Sequence, residues 1–216
     1  MMLGQSITRN SVLLGLFAVA TAMLLGGSYL LTKDRIAAEI RKAEEKALLQ
    51  IVPRERHDNS MLDDTVPVGP EATELGLRVD KQIYLARQGE QVIAAIIPAT
   101  ARDGYSGDID LVVGVNRDGT VAGVRALAHK ETPGLGDKVD LKKSAWVLDF
   151  DGRSLANPEP GQWTVKKDNG AFDSFTGATI TPRAVIAATR RALEYAQDNA
   201  EDLFGKPGPD PQEGAL

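Results

Sequence analysis

The 216-residue sequence contains no cysteine, and that absence rules out several chemistries together. Disulfides, thiolate nucleophiles, CxxCH haem attachment and cysteine-ligated iron–sulfur clusters all need a thiol. Histidine is nearly missing too, with His57 and His129 the whole complement. A zinc site would therefore have to take most of its ligands from carboxylates. Positive charge is in deficit: 25 Lys and Arg against 30 Asp and Glu leave a net charge of -5 and a pI near 5.2. No basic run breaks that balance, so a nucleic-acid partner is excluded. The glycine spacings GxGxxG and GxxxxGK[ST] are also missing, which removes the dinucleotide and P-loop phosphate sites. Any redox chemistry would have to be carried by an organic cofactor.

The residues present fit one ordinary domain plus an anchor. Residues 12–31 carry no charge, and about 20 residues at a helical rise of about 1.5 Å just cross a hydrocarbon core. Ala18-Val19-Ala20 resembles a signal-peptidase site, yet the uncharged run continues to Leu31, which favours a retained transmembrane helix over a cleaved signal. Arg9 precedes the span, whereas Lys33, Arg35, Arg41, Lys42 and Lys46 lie beyond it. Counted literally, these charges direct the downstream domain toward the cytoplasm.

Residues 32–53 read as a helical stalk. Ile36, Ile40, Ala43, Ala47 and Ile51 fall on one stripe, Arg35 with Glu39 and Arg41 with Glu45 can pair across a turn, and Pro53 ends the run. The stalk reads as a solvated helix that packs on the domain, with a docking helix for a partner protein as the alternative. Residues 1–11 form a flank, 54–80 a loosely structured connection rich in turn formers, and 205–216 a disordered tail.

The domain itself is placed at 81–204. Residues 83–86 and 92–97 flank Arg87-Gln88-Gly89-Glu90, and residues 109–115 and 121–128 flank Asn116-Arg117-Asp118-Gly119-Thr120. Two successive hairpins predict an α+β domain built on an antiparallel sheet with flanking helices. A final helix is predicted from Thr181 as N-cap and Pro182 as first helical residue to about Asn199. Its inward stripe is Val185, Ala188, Thr189, Ala192 and Tyr195-Ala196, with Arg190 and Arg191 outside.

Two stretches could carry chemistry. His129-Lys-Glu131-Thr132-Pro-Gly134-Leu135-Gly136 comes directly after a strand. Two glycines around a leucine let backbone approach a flat ligand, and Glu131 and Thr132 add polar contacts; taken alone, the run is equally a plain turn. Asp173-Ser-Phe-Thr176-Gly177-Ala178-Thr179-Ile-Thr181 leads into the last helix. A helix N-terminus offers free N–H groups and partial positive charge to a phosphate, and small residues at 177 and 178 leave room for a bulky group on Thr179.

Asp173-Ser-Phe-Thr-Gly-Ala-Thr179 resembles the flavinylation motif of the FMN-binding domains found in the C subunit of the sodium-pumping quinone reductase and the G subunit of the Rnf (Rsx) complex. Gly104-Tyr-Ser-Gly107, Trp146 and Trp163-Thr-Val-Lys-Lys-Asp168 are similar to the Rnf G subunit in particular, as is His129 ahead of Glu131-Thr132. The resemblance implies a covalent FMN, esterified through its phosphate to Thr179 by a separate flavin transferase, with Glu131 to Gly136 close to the flavin ring. It also implies the other subunits of a membrane complex as partners, electron relay that drives ion transport, and a single-pass protein of the bacterial inner membrane with its domain in the periplasm, against the literal charge count. Rival readings are a histidyl-flavin oxidase using His129, a non-redox membrane adaptor, and a standalone flavin reductase.

Overall fold

The computed structural model describes residues 2–205; the expected tail lies outside them apart from Gly205. Helix α1 runs unbroken over Met2–Leu49. Within it, Arg9–Ile36 is long and apolar enough to cross a membrane. Leu14, Phe17, Leu24 and Leu31 are all exposed there, as side chains meant for lipid would be. Thr21 and Thr32 return their hydroxyl protons to the Phe17 and Ser28 carbonyls one turn back, each at 2.8 Å, so neither presents an unsatisfied polar group. The predicted span of 12–31 is thus the centre of a longer uninterrupted helix. Farther along, Glu39 accepts from Lys42.

The chain divides into two units, one ending at Glu44 and the other beginning at Glu45. The second is a five-stranded antiparallel sheet in the order β1-β2-β3-β4-β5, comprising β1 (Thr65–Val68), β2 (Lys81–Gln88), β3 (Gln91–Gly104), β4 (Gly107–Asn116) and β5 (Val121–Ala128). Both predicted hairpins form, at Gly89 and at Asp118-Gly119, where both glycines adopt positive φ. A third joins β3 to β4 through Tyr105-Ser106. The 54–80 segment, expected to be loosely structured, contributes β1, paired with β2, and buries Leu75 and Leu77. Pro67 within β1, and Pro70, Glu71 and Glu74 between β1 and those leucines, masked them.

Two apolar layers cover the two sheet faces. One holds alternate β3 and β4 residues (Ile97, Ala99, Leu111, Val113) against Val185, Ala188, Ala192 and Ala196 of helix α2 (Ile180–Asp198). The predicted stripe of α2 is buried, apart from Tyr195, which is half-buried. Short helix α3 (Ala200–Phe204) adds Leu203 and Phe204 to the same layer. The other face receives Leu48, Ile51, Val52 and Met61. Helix α1 ends at Leu49 rather than at Pro53, and Ile51 and Val52, beyond that end, join Leu48 and Met61 in sealing this face. Ile51 sits against Gly114 and Gly123, paired across β4 and β5, where a side chain on Gly114 would collide with it. Beside it Arg125 is buried and donates to the Gln50 and Val124 carbonyls at 2.8 and 2.7 Å; burial pulls its pKa down.

Candidate functional site

The site is assembled where α2 begins. Phe175 and Ala178 bridge across a tight turn, with the Ala178 N–H on the Phe175 carbonyl at 3.1 Å and Gly177 at φ 81°. Left-handed backbone at that corner suits glycine and strains any residue with a Cβ. The turn is held from beneath: the Phe175 ring meets Trp146 edge-on at 4.9 Å, and the Trp146 indole N–H donates to the Asp173 carbonyl at 2.8 Å. On the outside, Lys166 pairs with the Asp173 carboxylate at 2.9 Å.

Helix α2 starts at Ile180, which makes Thr179, not Thr181, the N-cap. Pro182 moves to the third helical position, still among the orphan N–H groups where its missing donor costs nothing. Thr179 has φ -94° and ψ -20°, helical values rather than the extended ones of a working cap, and its side chain makes no capping bond. A cap hydroxyl normally binds the N–H of the second or third helical residue; here that use is forgone, and Thr179 is half-buried with its hydroxyl not engaged by the helix. Thr176 and Gly177 are exposed and Ala178 half-buried, leaving the approach to Thr179 lined by small groups.

Thr181 is fully buried. Its hydroxyl donates to Glu131 Oε2 at 2.5 Å, and Glu131 Oε1 accepts the Ser106 N–H at 2.8 Å. Glu131, itself buried, therefore ties the β3–β4 hairpin tip and the first turn of α2 to the loop after β5. The Glu131 N–H in turn reaches His129 Nδ1 at 3.2 Å, so that ring nitrogen acts as an acceptor. In the rest of the loop, the Leu135 and Gly136 N–H groups both reach the Thr132 carbonyl at 3.1 Å, and Asp137 Oδ1 takes the Gly134 N–H at 2.8 Å.

The two stretches singled out in the sequence are thus neighbours. Leu135, 41% exposed, lies over the Thr176–Gly177 turn: a Cβ on Gly177 would stand 3.4 Å from its Cδ2. Thr132 and Gly134 are exposed beside it. The two glycines of the loop differ in purpose. Gly134 has φ 79° and open space around it, whereas a Cβ at Gly136 would stand 2.6 Å from Glu131 Oε2 and 2.9 Å from the Thr181 hydroxyl. Gly136→Ala should therefore lower stability by about 1–3 kcal/mol through overpacking, and Gly134→Ala by about 1–2 kcal/mol through left-handed strain. Thermal melts of the two variants check this; an unchanged melting point for Gly136→Ala would mean that the carboxylate yields freely.

Past the first turn, Arg183 holds Asp168 with two bonds of 2.7 and 3.0 Å. That hydrogen bonding keeps the Asp168 carboxyl below its usual range and raises the guanidinium. Both groups are exposed, so the pair adds little stability. Sequence reasoning missed the roles of Ser106 and Asp137, which act through a backbone N–H and a loop-closing carboxylate. Gly104 and Gly107 around two polar residues, between apolar runs, were the available signal for the first.

Against known proteins, residues 104–194 match the FMN-binding domain family, and residues 1–51 match the RnfG N-terminal region. The chain is 48% identical over 201 residues to the G subunit of the ion-translocating oxidoreductase complex of Pseudomonas aeruginosa, covering 93% of each chain. The chain belongs to the G-subunit family of ion-translocating oxidoreductase complexes. Within that family the Vibrio cholerae protein is 42% identical, over 94% of this chain and 97% of its own. Among solved structures, the C subunit of the Na(+)-translocating NADH-quinone reductase of Parabacteroides distasonis superposes with a TM-score of 0.45 at 17% identity, covering 67% of this chain and 79% of that one. In this G-subunit protein, the whole Asp173–Thr179 run and the Glu131–Gly136 loop fall inside the matched FMN-binding region.

Proposed function

We propose that this G-subunit protein relays electrons within a membrane-bound ion-translocating oxidoreductase complex, through FMN joined by a phosphoester to Thr179. The observation that carries the reading is the uncommitted hydroxyl of Thr179 at the head of α2, a cap position whose ordinary bond is not made. The residues fit the group. Small neighbours at 177 and 178 give access, the helix end favours a phosphate, and Leu135 offers an exposed apolar surface beside the turn for the edge of a flat ring.

When bound, the flavin supplies the redox chemistry, and the protein supplies position and electrostatics. Trp146 and Phe175 hold the attachment turn in place, Thr176 and Thr132 present hydroxyls at its rim, and Glu131 fixes the loop carrying Leu135 to the helix. A covalent tether keeps the cofactor from being lost at a site open to solvent. In this reading a flavin transferase moves the FMN half of FAD onto the Thr179 hydroxyl, breaking the pyrophosphate bond and releasing AMP; the other subunits of the complex donate and accept the electrons, and no separate substrate is turned over. The His129 alternative is weakened because Nδ1 of that ring already accepts the Glu131 N–H.

The intact mass of membrane-extracted protein, co-expressed with a flavin transferase, tests both the cofactor and the anchor. A full-length chain heavier by one whole FMN, less the water that the phosphoester excludes, is expected. Unchanged mass would overturn the covalent reading, and a chain beginning near Thr21 would make the N-terminal helix a cleaved signal. Reporter fusions after residue 60 should place the domain in the periplasm of an inner-membrane protein; a cytoplasmic result would restore the literal charge count.

A further inference from the structure

We propose that the buried Glu131 carboxylate is a fixed negative charge that lowers the redox potential of a flavin held at Thr179; the proposal rests on the FMN reading above. Glu131 is 5% exposed. Its two oxygens are each met by a donor, the Ser106 N–H at 2.8 Å and the Thr181 hydroxyl at 2.5 Å. Among the described residues no lysine, arginine or histidine forms an ion pair with it. A carboxylate buried without a cation is costly, and the helix end at Thr181 offsets only part of that cost.

Bracing alone does not account for an acid at this position. Glutamine has the same shape and could make both bonds: its carbonyl would accept from Ser106, and its amide would donate to Thr181, whose hydroxyl accepts as readily as it donates. What glutamine lacks is the charge. That charge is held through Thr181, in the first turn of the helix that Thr179 heads. Gly136 has no side chain where one would crowd the same carboxylate, and the adjoining Leu135 overlies the attachment turn. A negative charge fixed there opposes the arrival of electrons on a nearby ring and favours their release, making this residue a positioning and tuning group rather than a cofactor ligand.

The experiment is a reductive titration of the detergent-extracted full chain, with FMN loading read first by intact mass. Electrons enter the flavin from dithionite, which is oxidised to sulfite, and protons come from the buffer. Glu131→Gln is expected to shift the midpoint potential upward. Thr181→Val keeps the charge but removes a bond that partly neutralises it, so it is expected to shift the potential downward. Opposite signs separate charge from shape, since a loosened loop would move both variants the same way. A Glu131→Gln potential equal to the parent's, or shifts of one sign in both variants, would overturn the proposal. Should Glu131→Gln fail to load, Thr181→Val decides: a lowered potential supports the charge, and an unchanged or raised one removes it. Absence of the mass gain in the parent protein would instead mark failure of the FMN reading.

Discussion

Thr179→Ala is expected to abolish covalent flavin entirely, whereas Thr176→Ala should leave most of it. Three threonines lie within six residues, and the structure gives each a different situation. Thr181 is fully buried with its proton committed to Glu131, so it is neither accessible nor free. Thr176 is exposed in the turn ahead of the helix. Only Thr179 combines partial exposure with a place at the helix head, where free N–H groups favour a phosphate. Because its side chain makes no capping bond, alanine there removes no hydrogen bond of the helix. The usual cost of losing a cap, about 1 kcal/mol, should accordingly not arise, and the melting point of the unlabelled protein should barely move. In-gel flavin fluorescence read beside that melt checks both halves. Full labelling of Thr179→Ala would assign the attachment elsewhere, and a large fall in melting point would mean that the lost label reflects misfolding.

The largest loss of stability is expected from Phe172→Ala. Phe172 is 1% exposed, stacks on Phe150 at 4.6 Å and meets Trp163 at 5.4 Å, and carries the Arg153 guanidinium over its ring at 5.8 Å. Truncating a buried phenylalanine typically costs about 3–5 kcal/mol, or a fall in melting temperature on the order of 10 °C for a domain of this size. The effect should reach the site as well. Phe172 directly precedes Asp173, whose carbonyl accepts from Trp146, and Trp146 also packs on Phe150 at 5.2 Å. Labelling of Thr179 should therefore fall with stability in Phe172→Ala, unlike in Thr179→Ala. Thermal unfolding followed with and without the transferase separates the two, and a melting point within a few degrees of the parent's would show that the aromatic cluster repacks.

The sheet was legible because its signals are local. Period-two alternation and the Gly89 and Asp118-Gly119 turns mark four of the five strands, and β1 escaped because it is only four residues long amid turn formers. The α2 stripe was legible for the same reason, at period 3.6. The helix start was misplaced by two residues, since Thr181-Pro182 carries the usual capping chemistry while Thr179, the actual cap position, does not cap. Burial of Glu131 was illegible: an acid in a polar-looking loop reads as solvated, and only the fold brings Ser106 and Thr181 to it from positions 25 and 50 residues away in sequence. Trp146 and Phe172 were visible as large residues, but their partnership with the attachment turn depends on packing that no periodicity encodes.

The sealing of one sheet face by Leu48, Ile51 and Val52 bears on where the soluble unit can be cut free. Cleavage before Arg54 would come just after the proline that looks like the natural boundary, yet it would pull the plug from the Gly114–Gly123 notch and leave Ala94, Ile96 and Val112 only partly covered, by Met61 and its neighbour Leu62. A fragment with that much uncovered sheet would tend to self-associate. The excision point consistent with a closed surface lies inside the helix, at Glu45, where the last turn travels with the sheet it covers and Arg125 keeps its hold on Gln50.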